Sequence, residues 1–191
     1  MPYSRAALDD VSEALIRSMP LGRCLDIGPG AGKYGKLVRS IHQSADISAI
    51  EIDADYIEQF GLREVYDAVL CGPASLLFDG DLDAVYDLVI IGDCLEHMKK
   101  SEGVDLLNFL AYRSKYIFVV YPVRWIQGSW NGHRSEAHIS VWSEADFNWL
   151  DHVSIRRAEL VAVAMNGFLR DERVEPGVEE ILAGFVTAGA E

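Results

Sequence analysis

Residues 24–35 read Cys-Leu-Asp-Ile-Gly-Pro-Gly-Ala-Gly-Lys-Tyr-Gly, and this stretch decides the fold. A short apolar run surrounds Asp26, glycines follow at positions 28, 30 and 32, and a helical pattern begins near Lys33. Glycine permits a sharp turn at positive φ and lets a ligand approach the backbone. At the carboxyl edge of a parallel sheet, such a loop binds a nucleotide-like ligand. Asp26 is expected to meet that ligand as an acceptor, which suits a cationic or hydroxyl-bearing group better than a pyrophosphate.

Strand-like and helix-like segments alternate along the chain, which predicts right-handed crossovers and a mostly parallel sheet. Two later apolar stretches, within 153–170, predict a terminal antiparallel pair. The near-continuous apolar runs at 86–91 and 116–121 are typical of central strands buried on both faces. The predicted strands are 23–27, 46–52, 65–71, 86–91 and 115–121, and the predicted helices are 4–19, 33–42, 54–60, 74–79, 102–113, 143–151 and 178–185.

Length and composition bound the class of protein. The 191 residues fit one α/β domain, and the net charge of −13 disfavours a nucleic-acid partner. No apolar run reaches the roughly 18–20 residues that a membrane span needs, and the N-terminus shows no apolar signal core. The three cysteines, Cys24, Cys71 and Cys94, lie in or beside apolar runs and are interpreted as buried thiols. We therefore expect a cytoplasmic protein.

An acidic residue ends the second predicted strand. Glu51 lies 23 residues after Gly28, a separation that places it at the tip of the strand next to the glycine loop. A carboxylate there can accept hydrogen bonds from both hydroxyls of a ribose. The alternative is that Glu51 and Asp53 only face solvent. The third strand ends at Cys71-Gly-Pro-Ala-Ser75, and the fourth ends at Gly92-Asp-Cys-Leu-Glu-His97.

Three motifs in this order, Asp26–Gly32, Ala49–Glu51 and Tyr86–His97, resemble those of the class I S-adenosylmethionine-dependent methyltransferases, over residues 21–121. The resemblance implies an α/β three-layer sandwich with a mostly parallel, seven-stranded Rossmann-like sheet and a terminal antiparallel strand. It implies that the glycine loop wraps the methionine part of S-adenosylmethionine and that Glu51 holds its ribose. The implied cofactor-binding residues are Asp26, Gly28, Pro29, Gly30, Gly32, Tyr34, Glu51, Ile52, Ala74, Ser75, Gly92 and Asp93.

Adenine recognition departs from the pattern of that superfamily. Many members have an acidic residue after the third strand that accepts a hydrogen bond from the adenine amino group. This chain has Gly72-Pro73-Ala74 there, and a proline side chain cannot accept one. The alternatives are backbone groups near Ala74 and Ser75, or the carboxylate of Asp79.

A nicotinamide or flavin enzyme is the rival hypothesis. Residues 30–35, Gly-Ala-Gly-Lys-Tyr-Gly, match the G-x-G-x-x-G fingerprint of dinucleotide-binding proteins. In that fingerprint the first glycine follows the strand directly, whereas here the match starts two residues after Gly28. Asp26 would also face a pyrophosphate as a like charge. The spacing therefore disfavours this hypothesis.

A long segment, 121–142, follows the fifth predicted strand and should overhang the ligand edge of the sheet. A loop of about 20 residues in a compact domain is usually functional or mobile. Its pattern is similar to that of small methyltransferases of polysaccharide and natural-product pathways. We predict that 122–142 is a substrate lid, and the alternative is that its tryptophans only cover the sheet edge. The predicted substrate-binding residues are Arg124, Trp125, Trp130, His133 and Arg134.

Histidines near the predicted site are the candidates for proton transfer. A hydroxyl acceptor benefits from a general base, and histidine has a suitable pKa range. The candidate catalytic residues are His97, His138 and Asp93. Asp93 and Glu96 could contribute to a metal site, but a complete set of oxygen ligands is not evident, so no metal is predicted.

The sequence thus predicts one methyltransferase domain over 1–191, with an N-terminal helix (1–20), a cofactor-binding core (21–121), a lid (122–142) and a C-terminal part (143–191). The expected reaction is methyl transfer from S-adenosylmethionine to oxygen or nitrogen of a small molecule or glycan precursor. The segment after the fourth strand is not the Asn/Asp-Pro-Pro-aromatic loop of amino-group methylation of nucleobases or glutamine. A cofactor-binding module without its own turnover is the alternative, and the oligomeric state stays open.

Overall fold

The computed structural model, which describes residues 3–80 and 83–186, contains a seven-stranded sheet. The strands are β1 (Arg23–Ile27), β2 (Asp46–Glu51), β3 (Ala68–Cys71), β4 (Tyr86–Gly92), β5 (Ser114–Pro122), β6 (His152–Arg157) and β7 (Leu160–Asn166). Their order is β3-β2-β1-β4-β5-β7-β6. The first five strands pair in parallel, and β7 is antiparallel to both β5 and β6. The predicted mostly parallel sheet with a terminal antiparallel strand is confirmed.

Helices cover both faces of this sheet. The helices are α1 (Asp9–Arg17), α2 (Lys33–Ile41), α3 (Ala54–Gln59), α4 (Leu62–Val65), α5 (Lys100–Ala111), α6 (Val178–Ile181) and α7 (Ala183–Val186). Side chains of α1, α2 and α6 belong to one hydrophobic core, and side chains of α5 belong to a second. The two cores lie on opposite faces of the sheet, which confirms the predicted three-layer architecture.

The central strand β4 shows why the apolar runs of this chain are continuous. Leu88 and Ile90 contribute to one core, whereas Val89 and Ile91 contribute to the other. Successive side chains of a strand point to opposite faces, so a strand covered on both sides needs apolar residues at every position. Burial on both faces holds β4 at the centre of the sheet. The residues that follow β4 are therefore placed at the carboxyl edge.

Three predicted element boundaries were wrong. The strand predicted for 65–71 begins only at Ala68, because Leu62–Val65 form α4. The helix predicted for 143–151 is only a 3₁₀ turn, Glu144–Phe147, although its predicted capping box is present. Strand β6 begins at His152, which leaves little chain for a longer helix. The helix predicted for 178–185 is divided at Leu182 into α6 and α7.

The cysteines differ in exposure, which corrects one sequence prediction. Cys24 is buried and Cys94 is half-buried, but Cys71 is exposed. Cys71 ends β3, an edge strand that has a neighbour on one side only. Among the helices that the structure describes, none has the length and apolar character required to cross a membrane. Residues 1–2 of the predicted N-terminal helix segment and 187–191 of the predicted tail lie outside the described residues.

The parallel strands place the predicted motifs side by side. The carboxyl ends of β1, β2, β3 and β4 lie at one edge of the sheet, and Gly28, Glu51, Gly72 and Gly92 stand there or directly after. Ligands of open α/β sheets bind in the crevice outside these carboxyl ends. The candidate site is therefore at this edge.

Candidate active site

The glycine loop after β1 is held in a conformation that favours glycine. Gly28, Gly30 and Gly32 have φ angles of 68°, 50° and 74°. The backbone N–H of Gly28 donates to the carbonyl of Ile50 at 2.9 Å. A Cβ atom on Gly28 would lie 2.5 Å from Sγ of Cys94. The loop is thus pressed against the segment after β4, and a larger residue at position 28 would displace one of them.

Glu51 links the tip of β2 to this loop. Its side chain is buried, with 4% of the residue exposed. One carboxylate oxygen accepts from the N–H of Gly30 at 3.1 Å, and the other accepts from the N–H of Asp53 at 2.9 Å. Burial raises the pKa of the Glu51 carboxyl. A carboxylate offers about four acceptor positions, so two remain for the hydroxyls of a ligand.

Three adjoining cavities lie along the carboxyl edge of the sheet. The largest, about 460 Å³, lies between the ends of β1–β3 and helix α5. A second, about 70 Å³, lies between the glycine loop and Asp93. A third, about 60 Å³, lies between Asp93, His138 and the N-terminal segment. His97 lines all three, so the cavities form one continuous crevice around its side chain.

The largest cavity combines apolar walls with a few polar groups. Its volume is within the range of small-molecule pockets. Of the residues predicted to bind the cofactor, Ile52, Ala74 and Ser75 contribute to its lining, whereas Asp79, the alternative acceptor for adenine, does not. Glu102 and Asp105 of α5 bring carboxylates to this cavity, which sequence reasoning missed. The apolar lining residues include Ile27, Ile50, Phe78, Met98, Leu106 and Ile139.

The segment after β4 turns sharply at the centre of the crevice. A Cβ atom on Gly92 would lie 2.0 Å from the ring of Tyr34, so this position also needs glycine. Asp93 has a φ of 50°, a rare conformation for a non-glycine residue, and its N–H donates to the carbonyl of Val120 at 2.8 Å. Such backbone conformations cluster at functional sites. Burial raises the pKa of Asp93, and its Oδ2 has no hydrogen-bond partner within the described residues.

Two histidines meet beside this turn. The ring centroids of His97 and His138 are 4.7 Å apart. Nδ1 of His97 lies 3.3 Å from the carbonyl of Ala137, and Nδ1 of His138 lies 2.8 Å from the carbonyl of Trp125. Because a carbonyl only accepts, both Nδ1 atoms carry the proton, and both Nε2 atoms keep a free lone pair. Burial lowers the pKa of His97 to about 4 and lowers that of His138, so both rings are neutral at pH 7.

The sequence predicted that Asp26, Gly32 and Tyr34 bind the cofactor, but these residues line none of the three cavities. The carboxylate of Asp26 is buried and accepts from the hydroxyl of Tyr66 at 2.6 Å. Burial raises the pKa of Asp26 to about 7. The structure thus pairs Asp26 with Tyr66, and its predicted contact with the ligand stays a prediction.

Of the five predicted substrate-binding residues, only Trp125 lines a cavity. The guanidinium of Arg5 lies 4.4 Å from the centroid of its ring. His133 instead bonds to Asp53, with 2.5 Å between Nδ1 and Oδ2. The remaining three, which do not line the described cavities, are Arg124, Trp130 and Arg134.

Sequence reasoning also missed site residues in two segments. From the predicted lid, Gln127, Ser135 and Glu136 line the crevice. From the N-terminal segment, Ser4 and Arg5 do so. Nζ of Lys33 donates to the carbonyl of Arg5 at 2.8 Å and holds this segment over the crevice. Gln127 and Glu136 belong to the pattern that resembles small methyltransferases, but that pattern does not show which side chains point into the crevice.

The fold is similar to that of solved methyltransferase structures. An O-methyltransferase family protein from Burkholderia thailandensis superposes with a TM-score of 0.59 at 10% identity, covering 84% of this chain and 56% of that one. The plantazolicin methyltransferase BpumL in complex with SAH (S-adenosylhomocysteine) gives 0.61 at 13% identity, covering 85% and 86%. The chain has the class I methyltransferase fold.

The N-methyltransferase NodS from Bradyrhizobium japonicum gives a TM-score of 0.58 at 10% identity, covering 83% of this chain and 94% of that one. The chain therefore spans nearly all of some structures of this fold, but only 56% of the length of the Burkholderia protein. No protein-family model and no curated protein sequence matches the chain. At these sequence identities, the similarity to solved structures shows the fold alone.

Proposed function

We propose that this protein transfers a methyl group from S-adenosylmethionine to an oxygen or nitrogen of a small-molecule acceptor, with glycan precursors among the candidates. The observation that carries the proposal is the continuous crevice at the carboxyl edge, in which the glycine loop, Glu51 and the turn at Asp93 adjoin. In this fold, several solved neighbours were crystallised with SAH, the demethylated product.

The cofactor half of the crevice, which comprises the largest cavity, Glu51 and the glycine loop, fits S-adenosylmethionine. The apolar walls of the largest cavity suit an adenine ring. Glu51 stands between that cavity and the glycine loop, and its free acceptor positions suit the two ribose hydroxyls. Gly28 and Gly30 line the adjoining small cavity with backbone only, which leaves room for the methionine part. Asp105 lines the same cavity, and we propose its carboxylate as the acceptor for the adenine amino group in place of the side chain that Pro73 lacks.

The acceptor half of the crevice is the part around the turn at Asp93, His97 and His138. It provides groups that orient a nucleophile and take up its proton. S-Adenosylmethionine supplies an activated methyl on sulfur, so the protein has mainly to align the acceptor and exclude water. His97 and His138 are neutral and keep a free Nε2 lone pair, which suits acceptance of a proton from a hydroxyl. Asp93 lies between the cofactor half and this pair, because it lines both small cavities.

We propose the third cavity as the place where part of the acceptor binds, because it adjoins aromatic and cationic groups. Trp125 and Arg5 lie at its wall and suit stacking on a ring or contact with an anion. The net charge of −13 disfavours a nucleic-acid acceptor. Nothing in the described part of the chain favours a non-catalytic cofactor-binding module over an enzyme.

Turnover with a panel of acceptors tests the proposal. The protein is incubated with S-adenosylmethionine and pools of phenolic, amine and sugar-nucleotide acceptors, and S-adenosylhomocysteine is measured by mass spectrometry. We expect product to form with at least one pool and to increase with enzyme concentration. Binding of S-adenosylmethionine without product from any pool would instead favour the cofactor-binding module.

A further inference from the structure

Three side chains with metal-ligating atoms converge on the third cavity. A carboxylate oxygen of Glu96 and imidazole nitrogens of His97 and His138 all lie within 4.8 Å of one another. The three residues line the cavity together with Asp93. Glu96 and His97 come from the turn after β4, whereas His138 comes from 41 residues further along the chain, in the predicted lid. The spacing matches no metal motif, so the sequence did not predict this cluster.

Glu96 provides an independent sign that a cation belongs here. Only 3% of the residue is exposed, and its Oε2 has no hydrogen-bond partner among the residues described. A buried carboxylate oxygen without a partner is costly, and charges inside proteins are normally paired or coordinate metals. The unpartnered Oδ2 of Asp93 lies on the same cavity. A bound cation would satisfy the Glu96 carboxylate.

The histidines are oriented as metal-ligating histidines usually are. Each directs Nδ1 at a backbone carbonyl, that of Ala137 for His97 and that of Trp125 for His138. Such a contact fixes the tautomer and the ring orientation and leaves Nε2 as the ligand atom. The contacts of Nδ1 with backbone carbonyls thus suit coordination through Nε2.

We infer that Glu96, His97 and His138 bind one divalent transition-metal ion of the zinc type. Two imidazoles and one carboxylate form a donor set found in catalytic zinc sites, which keep an open position for water or substrate. Mg²⁺ and Ca²⁺ prefer oxygen ligands throughout, so this set disfavours them. A water or substrate oxygen could complete the coordination from the cavity, which Asp93 also lines.

The role of this metal rests on the proposed function. An acceptor hydroxyl bound at the open position would have a lowered pKa and would lose its proton to solvent. Its oxygen would then form the new bond to the methyl carbon as the methyl–sulfur bond of S-adenosylmethionine breaks, leaving neutral S-adenosylhomocysteine. In the loaded protein, the two histidines act as ligands and not as bases.

A second cluster, Asp53, Asp55 and His133, also has atoms within 4.8 Å of one another. Here Nδ1 of His133 bonds directly to Asp53, so the two groups satisfy each other, and Asp55 is exposed. This cluster lacks a buried unpartnered oxygen among its described atoms. It serves as the internal comparison for the proposed site.

Calorimetric titration of the full chain with ZnCl₂, without cofactor or acceptor, tests the inference. We expect one equivalent to bind, with at least 100-fold weaker binding in Glu96→Gln and in His138→Gln. His152→Gln, Cys71→Ser and Asp53→Asn should bind as the unmodified chain does. Circular dichroism verifies folding, and His138→Gln carries the test if Glu96→Gln fails to fold, because His138 is only half-buried.

Absence of zinc binding would overturn the inference, as would binding that survives both Glu96→Gln and His138→Gln. Loss of binding in Asp53→Asn alone would assign the ion to the second cluster and overturn it too. Because the titration contains no S-adenosylmethionine, its failure leaves the proposed methyl transfer intact. Conversely, zinc binding by a chain that fails to bind S-adenosylmethionine would refute the proposed function and leave the metal site.

Discussion

The two halves of the crevice are built in different ways. The cofactor half consists of strand ends and the glycine loop. The N–H of Gly28 donates to the carbonyl of Ile50, and the N–H of Gly30 donates to the side-chain carboxylate of Glu51. The acceptor half consists of the turn at Asp93, the segment 122–142 and the N-terminal segment. It is held by side chains from distant positions, such as Lys33 on the carbonyl of Arg5.

This difference predicts which property a substitution should alter in each half. At the glycine loop of the cofactor half, the backbone itself forms the surface, so an added side chain fills ligand space or displaces a neighbour. In the acceptor half, the surface is made of side chains, so a truncation removes one contact and leaves the rest. Substitutions should therefore affect cofactor affinity in the first half and methyl transfer in the second.

The largest expected effect is at Gly28. Gly28→Val should weaken S-adenosylhomocysteine binding at least 100-fold, or about 2.7 kcal/mol, because a Cβ there would lie 2.5 Å from Cys94 Sγ and φ is 68°. Gly128→Val is the matched control, since nothing lies within 4 Å of a Cβ at that position. Calorimetry measures both. Equal affinity of the two variants would contradict the proposed role of the loop.

Glu51 comes next. Glu51→Ala should weaken cofactor binding by about 1.5–3 kcal/mol, the range for hydrogen bonds to a charged group. Asp55→Ala, which removes an exposed carboxylate from α3, should leave the affinity unchanged. Fluorescence or calorimetric titration compares them, and thermal unfolding verifies that both fold. If Glu51→Ala binds as tightly as the unmodified chain, the ribose assignment is wrong.

His97, in the acceptor half, should make the free energy of unfolding depend on pH. Because the pKa of His97 is lowered to about 4, the unfolded chain takes up this proton first, and stability falls as pH falls from about 6.5 to 4. Asp26 acts oppositely: its pKa is raised to about 7, so its contribution is present at low pH and is lost as pH rises through 7.

Comparison of the unmodified chain with His97→Gln isolates the histidine. From pH 7.5 to pH 5 the unfolding free energy of the unmodified chain, relative to His97→Gln, should fall by about 2 kcal/mol. Urea unfolding at the two pH values measures this difference. A constant difference would mean that His97 is not desolvated as the structure shows.

The smallest expected effect is on methyl transfer. His138→Ala should lower the rate at least about tenfold, roughly 1.4 kcal/mol of barrier, while cofactor affinity stays within about threefold. Trp130→Ala is the comparison within the same segment, because Trp130 lines none of the described cavities, and its rate should stay within about twofold. Loss of rate in proportion to lost thermal stability in His138→Ala would show that the segment is only structural cover.

The sequence predicted that the glycine loop and Glu51 lie side by side at the carboxyl edge, and the structure places them there for a physical reason. Glycines at strand ends and a carboxylate 23 residues after Gly28 are local patterns that the parallel sheet converts into proximity. Asp26 shows the limit: its position was evident, but its orientation towards Tyr66 depends on a contact 40 residues away. The prediction of a helix over 143–151 was wrong for a similar reason. The capping box is present, but β6 begins at His152 and leaves too few residues for a longer helix.

The acceptor half could not be predicted to the same degree. His97 and His138 were identified as candidates, but their pairing, the burial of Glu96 and the placement of Arg5 over Trp125 arise from long-range packing. Only Trp125 of the five predicted substrate-binding residues lines the crevice. Irregular segments carry no periodic pattern, so a sequence does not show which of their side chains point inward.

Calorimetric titration of the unmodified chain is the most direct test of whether the crevice binds S-adenosylmethionine. The account predicts that S-adenosylmethionine and S-adenosylhomocysteine bind with one site per chain and a Kd of about 1–100 µM, roughly 5.5–8.2 kcal/mol. It predicts no measurable heat of binding with NAD or FAD under the same conditions. Binding of NAD without binding of S-adenosylmethionine would contradict the account and support a dinucleotide enzyme.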